Sequence, residues 1–129
     1  MSRILVVGPT RITESFVAWI EERGHTVVRV DHVDMAMEVT RKRPPDGVVT
    51  EVRVDGGDGI GLLWHLRREG FSIPVYIQSS SGRYLIPEVG EVDLFEYVKK
   101  NFGTFATFHP KGVHTFEEVR TFADSLTPG

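Results

Sequence analysis

The 129-residue sequence predicts an α/β fold, a (βα)5 three-layer sandwich in which helices cover both faces of a parallel five-stranded sheet. Three observations predict it. Short apolar runs alternate along the chain with segments of helical period. The links between them are short and marked by glycine, proline or an acid suited to capping. The first run is apolar at nearly every residue, as in a strand buried on both faces, rather than alternating with polar residues.

The elements follow in order. "RILVV" (3–7) is the first strand, and a turn at "GPT" ends it. In "RITESFVAWIEERG", Ile12, Phe16, Trp19 and Ile20 recur at helical spacing, and Gly24 is a C-terminal stop. "HTVVRV" is the second strand. "DMAMEVTRKR" is the second helix, ended by "PPD" because proline cannot continue the hydrogen-bond ladder. "GVVTEV" is the third strand, after which Asp58 caps a helix with Ile60, Leu63 and Leu66 on one side. "IPVYIQ" is the fourth strand.

The last third admits two readings. In one, "VDLFEYVKKNF" is a helix ended by Gly103, and "TFATFHP" is the fifth strand, ending at Lys111. In the other, "VDLFEYV" (92–98) is itself the fifth strand and ends near Lys99 or Lys100. Gly103 favours the first, as does "HTFEE", a capping box with Thr115 as N-cap and Glu118 three residues on. The final helix then carries Phe116, Val119 and Phe122.

Composition bounds the function. The length, with 40% hydrophobic and 26% charged residues, fits one domain spanning residues 1–129. A net charge of −3 with interleaved bases argues against a nucleic-acid surface. The absence of cysteine excludes disulfides and thiolate chemistry and fits a reducing compartment. No apolar run is long enough to span a bilayer, and the start "MSRILVVGPT" lacks the regions of a signal peptide, so a cytoplasmic location is expected, with no membrane partner. The five histidines at 25, 32, 65, 109 and 114 form no metal pair, and "DGGDGIG" has neither the ligands of a calcium loop nor the spacing of a dinucleotide turn. Trp19 and Trp64 are read as packing on the outer sides of helices, and "RKR" (41–43) as cations complementing a helix dipole.

Parallel sheets of this kind place functional residues at the carboxyl ends of their strands. That rule points to Gly8 and Pro9, to Glu51, to Ser79 and to the residue ending the last strand.

The stretch "RPPDGVVTEVRVDGGDGIGLLWHLRREGFSIPVYIQSSS" resembles the middle of a response-regulator receiver domain, CheY-like and flavodoxin-like with strand order 2-1-3-4-5. The order of elements from residue 3 to about 126 is similar as well. The resemblance implies that Glu51 stands at the phosphoacceptor position, where the family has aspartate. Gly8 and Pro9 stand where the family has a magnesium-holding pair of acids, so the acidic pocket is degenerate and no metal is expected. Ser79 fits the family's hydroxyl position, Phe108 its aromatic switch, and Lys111 its lysine, with Gly112 in place of the usual proline. Lys111 lies 32 residues after Ser79, long for a receiver, whereas Lys100 lies 21 after and remains an alternative.

The expectation is therefore an atypical, pseudo-receiver module that is not an enzyme and has no cofactor. Its lost magnesium and aspartyl-phosphate site would leave signalling to phosphorylation-independent protein–protein contact. Docking would use the face of the fourth helix, fifth strand and fifth helix, whose Phe95, Tyr97, Phe102, Phe105 and Phe108 make it unusually aromatic, a homodimer being one form it could take. The alternative is an oligomerisation module similar to the amino-terminal wing of ornithine, lysine and arginine decarboxylases, for which "IPEVGEVDLFEYV" would supply the last strand. The end of the chain at Gly129, with no cofactor domain, argues against a complete enzyme of that kind. A third reading, phosphorylation at Asp55 or Asp58, places the acceptor in a glycine-rich loop past the strand end.

Overall fold

The computed structural model describes residues 1–127. The elements are β1 (Arg3–Val7), α1 (Thr10–Glu22), β2 (Thr26–Val30), α2 (Val33–Lys42), β3 (Gly47–Glu51), β4 (Arg53–Val54), β5 (Gly57–Asp58), α3 (Gly59–Arg68), β6 (Val75–Ser79), β7 (Arg83–Ile86), β8 (Gly90–Asp93), α4 (Leu94–Phe102), β9 (Ala106–Pro110) and α5 (Thr115–Ser125). The main sheet is parallel with order β2-β1-β3-β6-β9, which is 2-1-3-4-5 when its five strands are counted alone. This is the expected flavodoxin-like topology.

Alternation along each strand builds the three layers, because successive side chains leave a strand on opposite faces. From β1, Ile4 and Val6 pack with Phe16, Ile20, Val119 and Ala123 of α1 and α5. Leu5 and Val7 point the other way, among Val33, Met37, Leu63, Leu66, Val98 and Phe102 of α2, α3 and α4. The run at residues 4–7 is apolar at every residue because both of its faces are buried. Trp19 meets Phe16 and Phe116 edge-on between α1 and α5, and Trp64 donates to the Tyr97 hydroxyl at 3.2 Å between α3 and α4. Both tryptophans are therefore packing residues.

The ambiguous last third resolves as helix then strand. Leu94, Val98 and Phe102, at fourfold spacing, are buried, and the Asp93 carboxylate accepts from Glu96 N at 3.0 Å. The alternative fifth strand at 92–98, on which the decarboxylase-wing resemblance rested, is thus one end of β8 followed by helix. β9 takes the edge position, with Ile77 opposite Phe108. Gly103 ends α4 as expected but in a right-handed conformation, φ −61°; its requirement is space, since a Cβ would sit 2.3 Å from the Lys99 carbonyl oxygen. The capping box at α5 is not formed. His114 precedes the helix, and the Thr115 hydroxyl accepts instead from Gly112 N at 2.8 Å, one turn back.

Two antiparallel hairpins interrupt the alternation, β4 with β5 and β7 with β8. The second runs from Arg83 to Asp93, 11 residues, which is the difference between the two lysine spacings from Ser79. It lies between β6 and α4, so it lengthens the chain without moving β9 from its place. Its Tyr84 hydroxyl donates to Asp58, tying the hairpin to the start of α3. Asp58 caps that helix through its other oxygen, accepting from Gly61 N at 2.6 Å.

Gly59 lies where the end of β3 and the start of α3 meet most closely, since a Cβ there would come within 2.3 Å of the Glu51 carbonyl oxygen. Gly59→Ala is expected to cost about 1–3 kcal/mol in urea unfolding, the usual range for forcing an extra methyl into a packed site. Gly82→Ala, where a Cβ meets nothing within 4 Å, is expected to leave stability nearly unchanged.

Candidate functional site

The topology brings the carboxyl ends of β1, β3, β6 and β9 side by side. Glu51 is the last residue of β3, between β1 and β6, and only 4% exposed. Lys111 follows β9, and its backbone N–H donates to the Ser79 carbonyl at 3.0 Å, continuing the β6–β9 ladder past Pro110. That placement directs the lysine side chain across the strand ends, where Nζ donates to Glu51 Oε1. The same ammonium lies 5.7 Å from the centre of the Phe16 ring. Lys100, the alternative, sits in the last turn of α4, at the opposite end of the sheet.

Room for the Glu51 side chain comes from Gly8. A Cβ at Gly8 would approach Glu51 Cγ to 2.9 Å and Thr13 Cγ2 to 2.9 Å, and φ of +148° further disfavours any side chain there. The glutamate's methylenes thus occupy the space into which a residue-8 side chain would project. Gly8 and Glu51 form a complementary pair, and Pro9 then begins α1 by accepting from Ile12 N and Thr13 N.

The pair is electrostatically lopsided, with the Lys111 side chain 29% exposed and that of Glu51 5%. Burial pushes the Glu51 carboxyl above its ordinary value, against the opposing pull of Lys111 and of the neighbouring Gln78 amide. Gln78 is fully buried opposite Glu51, and its influence is one of proximity: neither of its amide atoms, nor Glu51 Oε2, reaches a partner with hydrogen-bond geometry. A recess of about 80 Å³, lined in part by Glu51, Gln78, Ser79 and Lys111, opens beside them. Ser79 Oγ accepts from Ser81 N at 3.2 Å.

A hard divalent cation needs several oxygen ligands, preferably carboxylates. The residues at this site fit it poorly. Gly8 and Pro9 carry no side-chain oxygen, Glu51 Oε1 is taken by Lys111, and no group of three His, Asp or Glu suited to a metal occurs among the described residues. Asp58 spends both oxygens on Gly61 and Tyr84. Asp55 belongs to the β4–β5 turn, where its carbonyl accepts from Val33 N at 3.0 Å.

Elsewhere the named residues divide. Phe108 is buried on the α2–α3–α4 side, 5% exposed, as is Phe102 at 1%, while Phe95 stands 52% exposed on α4. Tyr97 and Phe105 are half-buried. The aromatic character of this third is therefore mostly core, with Phe95 as its outward member. His109 stacks on Tyr76 with ring centres 3.9 Å apart and bonds Glu118 Oε2 at 3.0 Å. Sequence reasoning missed Gln78 and the space-sharing of Gly8 with Glu51; a glycine facing a lengthened acid at adjoining strand ends is the signal that carried it.

Because the Glu51 carboxyl is raised in the folded state, its protonation favours folding. That stability is fully present below the ordinary carboxyl value of 4.5 and is lost as pH rises through the raised value. Glu51→Gln has no such proton to lose. Its unfolding free energy relative to the native protein is expected to increase as pH rises from 4.5 and to level off once the raised value is passed; no increase anywhere above pH 4.5 in urea titrations would contradict the assignment.

The chain matches the family model described as the response regulator receiver domain over residues 5–107, ending just before Phe108. Solved structures agree in fold. A receiver domain of a Francisella response regulator superposes with a TM-score of 0.74 at 18% identity, covering 96% of this chain and 94% of that one. The non-phosphorylated HemR receiver domain of Leptospira biflexa gives 0.73 at 20%, covering 100% and 98%. The Thermotoga maritima response regulator TrrA, solved with Mg2+ and BeF, gives 0.72 at 15%, covering 96% and 97%. No curated protein matches the chain. With most of its length inside the family match and its sheet order that of the fold, the chain belongs to the receiver domains of two-component response regulators.

Proposed function

We propose that this receiver domain signals without accepting a phosphoryl group, and that the Glu51 carboxylate, already bonded to Lys111, stands in the place a phosphorylated side chain would take. The observation that supports this most directly is the fit of the Glu51 methylenes against Gly8, with Lys111 already engaged by the carboxylate. Phosphoryl transfer depends on positioning and on cations that offset charge on the transferred group. A glutamate carries its carboxylate one methylene too far. The positions that resemble the family's acidic pair, Gly8 and Pro9, offer no carboxylate to bring in a metal. Where the TrrA structure holds Mg2+ and BeF, this chain would hold an internal ion pair. Ser79 and Phe108, in this reading, keep the family's hydroxyl and aromatic positions without a phosphoryl group to report on.

The output is then contact with a protein partner on the face of α4, β9 and α5. Phe95 supports this choice: it is a large apolar ring, half exposed on the outward side of α4, with the Lys99 ammonium 6.0 Å from its ring centre. Among the described residues no helix is long and apolar enough to cross a membrane.

Two outcomes check the proposal. Incubated with a small acyl-phosphate donor and magnesium, the native protein is expected to show no added phosphoryl mass by intact mass spectrometry; phosphate uptake by the native chain sinks the proposal. Replacing Phe95 with Glu is expected to abolish partner capture from the source cell, whereas Arg11→Glu, at an exposed position of α1, leaves it intact.

A further inference from the structure

At the end of the sheet opposite Glu51, the loops that lead into β6 and β9 and the last turns of α3 and α4 enclose a cleft of about 500 Å³. Its charged lining consists of Arg67, Lys99 and Lys100, with no carboxylate. None of these three cations forms an ion pair among the described residues, although the chain as a whole is acidic. The nearest acid in sequence, Glu69, is committed elsewhere, accepting from Arg41 Nε and Nη2 of α2 at 2.8 and 2.6 Å.

Cations are common at helix C-termini because the helix dipole favours them there. Two helix ends supply only about one negative charge between them, roughly half a charge each, so three cations leave a net positive potential in the cleft. Arg67 is preset by its neighbours: its guanidinium lies 5.2 Å over the Trp64 ring, and Nη1 donates to the Asn101 carbonyl at 3.1 Å. That engages one of the five donors of the guanidinium. Ser72 and Thr104 add hydroxyls, and the half-buried rings of Phe71 and Phe105 form apolar wall.

We propose that this cleft binds a small polyphosphate, in the form of a nucleoside di- or triphosphate, with Arg67, Lys99 and Lys100 on the phosphates and Phe71 and Phe105 beside the base. Guanidinium and ammonium groups make charge-assisted hydrogen bonds to phosphate oxygens, and an aromatic wall accepts any base without reading its edges. The site is separate from the Glu51–Lys111 recess and holds whether or not residue 51 takes part in phosphotransfer.

Amide NMR titrations of the whole chain with ATP and, separately, with pyrophosphate test it. Saturable shifts are expected at Gly70, Ser72, Gly103 and Thr104, with affinity of about millimolar or better and falling as salt is raised. ATP is expected to bind more tightly than pyrophosphate; equal affinities would overturn the nucleoside part of the proposal and leave a site for phosphates alone. Lys99→Gln with Lys100→Gln, both exposed and remote from the core, is expected to weaken binding at least about tenfold without altering the native spectrum elsewhere. Absence of saturable shifts with both probes, shifts centred on Ser79 and Lys111, or undiminished binding by the double variant would overturn the proposal.

Discussion

A carboxylate buried at the end of the central strand constrains the structure around it. Water cannot solvate Glu51, so its charge needs a partner, and the partner has to arrive from another strand. Lys111 does so only because β9 lies beside β6 and the chain leaves it at the level of Ser79. The same carboxylate needs lateral room, and Gly8 provides it on the β1 side. Thus the order of strands, the glycine that ends the first and the lysine that follows the last answer to one buried charge. The polar atoms left unpaired around it, Glu51 Oε2 and the Gln78 amide, show how tightly this small volume is contested.

Much of the fold was legible because burial on both faces leaves a simple mark. Ile4 to Val7 and Val48 to Val49 are apolar on consecutive residues, and Ile60, Leu63 and Leu66 recur at helical spacing, so local pattern and tertiary position agree. The site was legible in part, since strand ends collect functional side chains. What could not be read was whatever depends on relations across the chain. The hairpin from Arg83 to Asp93 has weak alternation and half-exposed residues, and its place is secured by Tyr84 on Asp58, a contact between residues 26 apart. Overlooking it made the spacing between Ser79 and Lys111 look wrong and kept Lys100 in contention. Thr115 failed as a cap for a similar reason: its hydroxyl had a competing donor in Gly112, which the capping pattern does not weigh.

The two ends of the sheet differ in kind. At the carboxyl end a single anion is enclosed and answered by a single cation. At the amino end, cations gather at helix termini without matching acids. Charges of one sign in a cleft raise the local concentration of the other, whereas an enclosed pair presents little field to its surroundings. A parallel sheet keeps such regions apart because its strands all run the same way, so residues that end strands and residues that precede them never share a rim.

One of the two edge strands of the sheet, β9, closes on Pro110, and a proline nitrogen carries no hydrogen. A backbone ladder extended along that rim would lose a rung beside Lys111. Copies of the molecule are thereby discouraged from stitching their sheets into a continuous fibre, a hazard for any open β margin.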